Sequence, residues 1–216
     1  MKVKDRMSAN PVTVTPETNV AEAFKLMKDK SIRRLPVVDK NKLIGIITMS
    51  DLNQAAPSSA TTLSIYELNY LLAKTKIKDI LGKTKLITVN QNAYIEIAAK
   101  MLRENKIGGM PVVDDDGKLV GVITETDIFD SFLEILGVNR QGTRINLLMQ
   151  DRPGLLKIVS EVVYKHGVNI ENIVSLGPDQ DGKVELVLRF NSLDYQPIVE
   201  DLKKAGFEVE GIVVKQ

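Results

Sequence analysis

Two short segments of the sequence carry a threonine followed three residues later by an aspartate, each after an apolar run that predicts a buried strand. They are Thr48–Asp51 and Thr124–Asp127. An ionised aspartate has about four acceptor positions, enough for both hydroxyls of a ribose, and a threonine hydroxyl can bond a sugar or a phosphate. The alternative is that each pair caps the following helix by accepting its free N–H groups. Spacing alone favours capping, although the two roles are compatible.

Two arginines, Arg33 and Arg34, precede the first of these pairs. Planar guanidinium groups suit the bidentate binding of phosphate, although solvated surface arginines would give the same sequence. The equivalent residues ahead of the second pair are Gly108 and Gly109. We therefore expect two unequal sites, with phosphate neutralised mainly by the arginines.

Both pairs belong to a longer repeat. Residues 31–52 read SIRRLPVVDKNKLIGIITMSDL, and residues 106–128 read KIGGMPVVDDDGKLVGVITETDI. The copies are too far apart for a solenoid repeat, so they indicate two similar small modules. Each module also opens with a short turn or helix (VKDRM at 3–7, IKDIL at 77–81), followed by a short β segment and a helix with apolar residues at helical spacing. The predicted order in each module is β-α-β-β-α.

The last third of the chain has a different pattern. From Arg144 it alternates as a strand, turns at DRPG, and continues with a helix, a β-hairpin, a second helix and a final strand. The order βαββαβ predicts a ferredoxin-like fold, and the whole chain is of the α/β (α+β) class. The predicted boundaries are 1–62 and 77–137 for the modules, 63–76 for a connecting helix after the loop AAPSSATT, 138–143 for a linker and 144–216 for the last domain.

The amino-acid composition argues against several classes of function. The chain has 216 residues, 44% of them hydrophobic, and a net charge of +1, which gives no electrostatic case for nucleic acid. The absence of cysteine excludes thiolate metal sites and thiol nucleophiles. With a single histidine, no phosphate-binding glycine loop and an acidic turn at 114–117 that we interpret as a hairpin, neither catalysis nor a metal site is expected. No segment predicts a membrane span or a signal peptide, so we expect a cytoplasmic protein.

The segments RRLPVVD (33–39) and GIITMSD (45–51), with GGMPVVD (108–114) and GVITETD (121–127), resemble a tandem pair of cystathionine-β-synthase (CBS) domains. DRPGLL (151–156) and HGVNI (166–170) resemble the ACT domain, a small ligand-sensing module. The combination is similar to the acetoin-utilisation regulatory protein family, including the segment SIYELNYLLAKTKIKDIL at 64–81.

The resemblance implies residues that hold an adenosine ligand, AMP or ATP first and S-adenosylmethionine second. On this sequence they are Thr13, Ile32, Arg33, Arg34, Leu35, Thr48, Asp51, Thr88, Ile107, Met110, Thr124 and Asp127. For the ACT part the resemblance implies an amino-acid effector at Asp151, Gly154, Leu155, Asn169 and Ile170. The alternatives there are a capping role for Asp151, or a domain that only dimerises.

These expectations combine into a regulatory binding protein rather than an enzyme. A nucleotide between the two modules would favour one arrangement of them, and the ACT domain or a regulated enzyme would respond to it. Both families expose faces that usually pair, so a homodimer is expected. The alternative function is a scaffolding protein with empty clefts.

Overall fold

The computed structural model describes residues 1–55, 64–82 and 86–216, without the side chains of residues 65, 68 and 69. It contains two compact units, Met1–Phe129 and Asp130–Gln216. The loop predicted at 55–62 lies outside the described residues apart from Ala55, the last residue of a helix.

The first unit contains the repeated modules. Its elements are a 3-10 helix Val3–Asp5, β1 Ser8–Ala9, α1 Val20–Asp29, β2 Arg34–Asp39, β3 Lys42–Thr48, α2 Met49–Ala55, α3 Ile65–Lys74, α4 Ile77–Ile80, β4 Val89–Asn90, α5 Ile95–Asn105, β5 Gly109–Val113 and β6 Leu119–Thr124. Helix α6 follows as Glu125–Ile135 and extends into the second unit.

Local sequence explains where the helices begin. Asn19 accepts a hydrogen bond from the backbone of Glu22 at 2.8 Å, the side-chain cap that starts α1. Ser64 and Glu67 form a reciprocal capping box at the start of α3, the connecting helix. The predicted β-α-β-β-α order is present, although the first β segment of module one is a single bridge from Val14 to Val37.

The two hairpins have the same register. Arg34 lies opposite Thr48 in the pair β2–β3, and Gly109 lies opposite Thr124 in the pair β5–β6. Both hairpins contain an irregularity at the same place, after Val37 in one copy and after Val112 in the other. The repeated sequence therefore gives a repeated backbone, in which equivalent residues have equivalent positions.

The short opening helices are exchanged between the modules. The backbone N–H of Val3 donates to the carbonyl of Ala93, and the side chain of Val3 is fully buried in the core of module two. Ile77 donates in the same way to Thr18 and is fully buried in the core of module one. Each segment opens its own module in sequence, and in space it completes the core of the other.

The second unit has the predicted ferredoxin-like order. Its elements are β7 Gly142–Gln150, α7 Leu155–Lys165, β8 Ile170–Leu176, β9 Lys183–Phe190, α8 Gln196–Lys204 and β10 Glu208–Lys215. The antiparallel sheet has the order β10-β7-β9-β8. Alternate residues of β9 are buried against the two helices, as a half-buried strand requires: Val184, Leu186, Leu188 and Phe190.

Candidate functional site

In both Thr-x-x-Asp segments, the threonine and the aspartate are hydrogen-bonded to each other at the junction of a strand and a helix. Asp51 accepts hydrogen bonds at Oδ2 from the backbone N–H and the hydroxyl of Thr48, both at 2.7 Å. Thr124 makes the same two bonds to Asp127, also at 2.7 Å. The backbone N–H of Asp51 in α2 donates to the hydroxyl of Thr48 at 3.3 Å, and that of Asp127 in α6 donates to the hydroxyl of Thr124 at 3.4 Å, so each pair also forms a helix cap. The bonds from Thr48 use only one carboxylate oxygen of Asp51, and Oδ1 has no hydrogen bond within the described part of the chain.

A cavity of about 500 Å³, which we call cleft A, opens beside Thr48 and Asp51. Module one lines it with residues 44–51 and with Arg33 and Arg34. Module two lines it with Leu86, Ile87 and residues 106–109. A molecule in cleft A would therefore touch both modules.

A second cavity of about 590 Å³, cleft B, opens beside Thr124. Module two lines it with Gly108, Val122 and residues 124–126. Module one lines it with residues 8–12 and 31–34. The two clefts are thus built from equivalent segments with the roles of the modules exchanged.

Arg34 lies where the two modules meet. A Cβ added at Gly109 would be 2.9 Å from the Nε of Arg34 and 3.1 Å from its Cζ, and one added at Gly108 would overlap the guanidinium group. The glycines of the second copy therefore leave the space that the arginine of the first copy fills. Arg34 and Gly109 are equivalent in the repeat, so the side chain lies close to the axis that relates the modules.

The surroundings of Arg34 disfavour its charged form. Burial lowers its pKa, and neighbouring Arg33 lowers it further, whereas the carboxylates of Glu125 and Asp127 raise it. A partly desolvated guanidinium group favours an anion beside it, because the anion restores the electrostatic stabilisation that water gave.

The other residues implied by the resemblance are dispersed. Ile107 lines cleft A, Ile32 lines cleft B, and Thr88 is half-buried next to Ile87. Thr13 is exposed and lines a third cavity, of about 670 Å³, with Asn41 and Lys118. Leu35 and Met110 are fully buried in the module cores, so their side chains offer no surface to a ligand.

Sequence reasoning missed two charged residues of the clefts. Lys106 lines cleft A and Glu125 lines cleft B. Both stand where the copies differ, since the residues equivalent to them are Ser31 and Met49. The sequence does show that the two copies differ in charge at these two positions, and that difference could have identified both residues.

In the second unit a smaller cavity of about 230 Å³ lies at the start of α7, lined by Asp151, Gly154 and Leu155 together with Arg152 and Ser175. Gly154 has φ +92°, a backbone conformation that favours glycine. Asn169 and Ile170 do not reach this cavity. They follow the other end of the 11-residue helix α7, about 16 Å away along the helix axis. The backbone of Asn169 instead pairs with Asn191.

The ring of the only histidine, His166, bonds Asp201 at 3.0 Å on the adjacent helix. Among the described residues, no three of the His, Cys, Asp and Glu side chains are grouped as metal ligands. None of the helices in these ranges is both long and apolar enough to cross a bilayer.

The comparisons with known proteins agree with this architecture. The CBS domain model matches residues 3–58 and 77–134, and the ACT domain model matches residues 143–207. The chain belongs to the CBS domain family, and it carries a tandem CBS pair followed by an ACT domain. The combination expected from the sequence, and with it the fold class, is confirmed.

Relatives match the CBS part. A CBS domain-containing protein of Dictyostelium discoideum is 34% identical over 135 residues, which cover 62% of this chain and 92% of the relative. Inosine-5'-monophosphate dehydrogenase of Bifidobacterium longum is 38% identical over 122 residues, which cover 56% of this chain but 20% of the enzyme. The similarity to the enzyme is therefore confined to a small part of its length.

Solved structures share the fold of the pair. The complex of CBSX2 with AMP is 31% identical, with a TM-score of 0.51, over 64% of this chain and 98% of that one. A protein assigned to acetoin utilisation (AcuB) from Vibrio cholerae is 31% identical, with a TM-score of 0.52, over 64% of this chain and 95% of that one. A CBS pair in complex with 5'-methylthioadenosine and S-adenosyl-L-methionine is 30% identical, with a TM-score of 0.51, over 65% of this chain and 98% of that one.

Proposed function

We propose that this protein is a regulatory sensor of adenine nucleotides, with AMP or ATP bound in cleft A. The observation that carries the proposal is the convergence of Asp51, Arg33 and Arg34 on one cavity built by both modules. A volume of about 500 Å³ is within the range of small-molecule sites. The AMP and S-adenosylmethionine complexes of the similar pairs support an adenosine ligand.

Each part of a nucleotide has a suitable partner in cleft A. The Oδ1 atom of Asp51 is available to accept from ribose hydroxyls, because the bonds from Thr48 use only Oδ2. Arg33 and Arg34 supply guanidinium groups for phosphate. Apolar side chains from both modules, Ile44, Ile87 and Ile107 among them, supply surface for the adenine ring.

The regulatory mechanism is a population shift. A ligand in cleft A contacts both modules, so it stabilises the arrangement in which both sets of contacts form. The ACT domain or a regulated enzyme would respond to that arrangement. The protein would work in the cytoplasm without a catalytic role of its own.

The test is isothermal titration calorimetry of the full chain with AMP, ATP and S-adenosylmethionine. We expect Asp51→Asn to weaken nucleotide binding about tenfold or more, since a hydrogen bond to a charged group is lost. Asp39→Asn is the matched control, because Asp39 is the exposed last residue of β2 and lines neither cleft. Absence of binding by every adenosine compound would refute the proposal and favour the scaffolding alternative.

A homodimer is part of the proposal, and exposed apolar side chains support it. Tyr66 is 83% exposed and Tyr70 57% exposed on α3, and Phe129 is 68% exposed on α6. Tyr66 and Tyr70 are four residues apart and so lie on one face of α3. Large apolar side chains exposed on helix faces are typical of protein interaction sites. Sedimentation equilibrium of the chain and of a Tyr66→Glu variant tests it, and a monomer at micromolar concentration would contradict it.

The second proposed ligand is an amino acid, bound by the ACT domain in the cavity at the start of α7. Asp151 lines that cavity and suits an ammonium group, and the helix start suits a carboxylate. Calorimetry with the twenty amino acids, on the chain and on Asp151→Asn, tests this part independently. If none binds, the domain serves dimerisation alone.

A further inference from the structure

The two clefts share two arginines. Arg33 and Arg34 line both cavities, and Gly108, whose backbone lies against Arg34, does so too. Neither guanidinium group has a hydrogen bond or an ion pair within the described ranges. A phosphate in one cleft would draw these groups toward itself. The same charges are then less available to a second phosphate in the other cleft.

The other charged residues of the clefts are unequal. Lys106 adds a cation to cleft A, and the equivalent residue in cleft B is the neutral Ser31. Glu125 adds an anion to cleft B, and the equivalent residue in cleft A is the neutral Met49. Both exchanges make cleft A more positive than cleft B. Asp51 partly offsets them, because it lines cleft A whereas Asp127 is not among the residues that line cleft B, so the formal charge is +2 in cleft A and +1 in cleft B.

Glu125 lies close enough to compete for Arg34. Its Oε2 atom would be 3.1 Å from a Cβ at Gly108, the same point that the Arg34 guanidinium group would overlap. Both side chains therefore lie beside the same glycine, and while burial lowers the pKa of Arg34, the charge of Glu125 raises it. When a ligand in cleft A engages the arginines, the Glu125 carboxylate loses their compensating charge, and cleft B becomes unfavourable for a second anion.

From these three observations we infer that the clefts accept different ligands. Cleft A takes the phosphate-bearing adenine nucleotide, and its occupation leaves cleft B for an adenosine compound that is uncharged or cationic. The inference rests on the proposed function, because it treats both clefts as adenosine sites. It assigns the coupling between the clefts to Arg33 and Arg34, and the preference of cleft B to Glu125.

Calorimetry of the full chain with AMP and with adenosine tests the inference. We expect one AMP to bind per chain, and one adenosine to bind in addition when the protein is already saturated with AMP. Two AMP molecules bound with affinities within about threefold of each other would overturn the inference and leave the proposed function intact. Binding of neither compound would overturn the proposed function itself.

Residue exchanges between the copies make the test specific. Glu125→Met gives cleft B the residue of cleft A, and we expect it to strengthen the binding of a second AMP about tenfold. Lys106→Ser gives cleft A the residue of cleft B, and we expect it to weaken the first AMP by a similar factor. Glu104→Met, an exposed change on α5 that lines neither cleft, is the control. A Glu125→Met protein that binds AMP as the unchanged chain does would refute the role of Glu125.

Discussion

Val3 and Ile77 occupy equivalent positions in the two copies of the repeat, and each is buried in the core of the other copy. The exchange joins the modules by more than their facing surfaces, since neither core is complete without a residue carried by the neighbouring copy. The same exchange keeps the two modules together, and both clefts are lined by the two modules.

The first prediction concerns this exchange. Ile77→Ala removes a fully buried side chain and is expected to lower the free energy of unfolding by about 2–4 kcal/mol. Because Ile77 belongs to module one in space and to module two in sequence, we expect both modules to unfold together at a lower urea concentration. Urea unfolding followed by circular dichroism and by hydrogen exchange measures this. Loss of protection in one module alone would contradict it.

The second prediction concerns Glu17, which forms ion pairs with Lys76 and with Lys78, the latter at 2.7 Å. The hydrogen bonds from Lys76 and then Lys78 lower the pKa of Glu17 from 4.5 to about 2. A carboxylate with a lowered pKa in the folded state contributes stability above its unfolded pKa and loses it as the pH falls. The contribution should therefore be complete above about pH 4.5 and lost progressively toward pH 2.

Thermal melts of Glu17→Gln test this pH dependence. At neutral pH we expect this variant to melt at a lower temperature than the unchanged chain. The difference should shrink below pH 4.5, where Glu17 loses its charge advantage. It should also shrink at high salt, because the ion pairs are exposed to solvent. Glu104→Gln, which removes an exposed helix pair of 3.7 Å to Lys100, serves as the control. A difference that persists unchanged at pH 2 would show that Glu17 acts through something other than its charge.

The third prediction concerns Gly109. An alanine there would place its Cβ 2.9 Å from Nε of Arg34, closer than atoms can approach, so the arginine must move. We expect AMP binding to weaken about tenfold, the effect of one misplaced charged hydrogen bond. The melting temperature should change little, since the flexible end of the arginine can shift. Unchanged affinity for AMP would mean that the position of Arg34 does not matter for the ligand.

The fourth prediction concerns Gly142 at the start of β7. Its φ is +123°, and a Cβ would overlap the carbonyl oxygen of Phe190 on the paired strand. Gly142→Ala is expected to lower the free energy of unfolding of the ACT domain by about 1–3 kcal/mol. Gly211→Ala in β10 is the matched control, because nothing lies within 4 Å of the added atom. Equal denaturation midpoints for the two variants would disprove the argument.

The sequence predicted the elements well because repetition and periodicity report which residues are buried. It could not assign Val3 and Ile77 to their cores, since an apolar pattern does not say which core receives a side chain. The Thr-x-x-Asp pairs were found because both copies keep them. Lys106 and Glu125 were missed because the sequence does not show that positions 106 and 125 line a cavity, although the copies differ in charge there as they do at Arg33 and Arg34. Asn169 is separated from Asp151 by the full length of a helix, a distance that the motif alone does not show.

The exchanged helices also determine when the protein can fold during its synthesis. The first module needs Ile77, which leaves the ribosome only after the whole of that module and α3 have been made. The amino-terminal Val3 waits longer still, because its partners include Ile123 and Ile128. Contacts between residues so distant in sequence form slowly. The core of module one can therefore be completed once residues 77–81 have emerged, whereas the core of module two, which includes Val3, stays incomplete until residue 128 has been made.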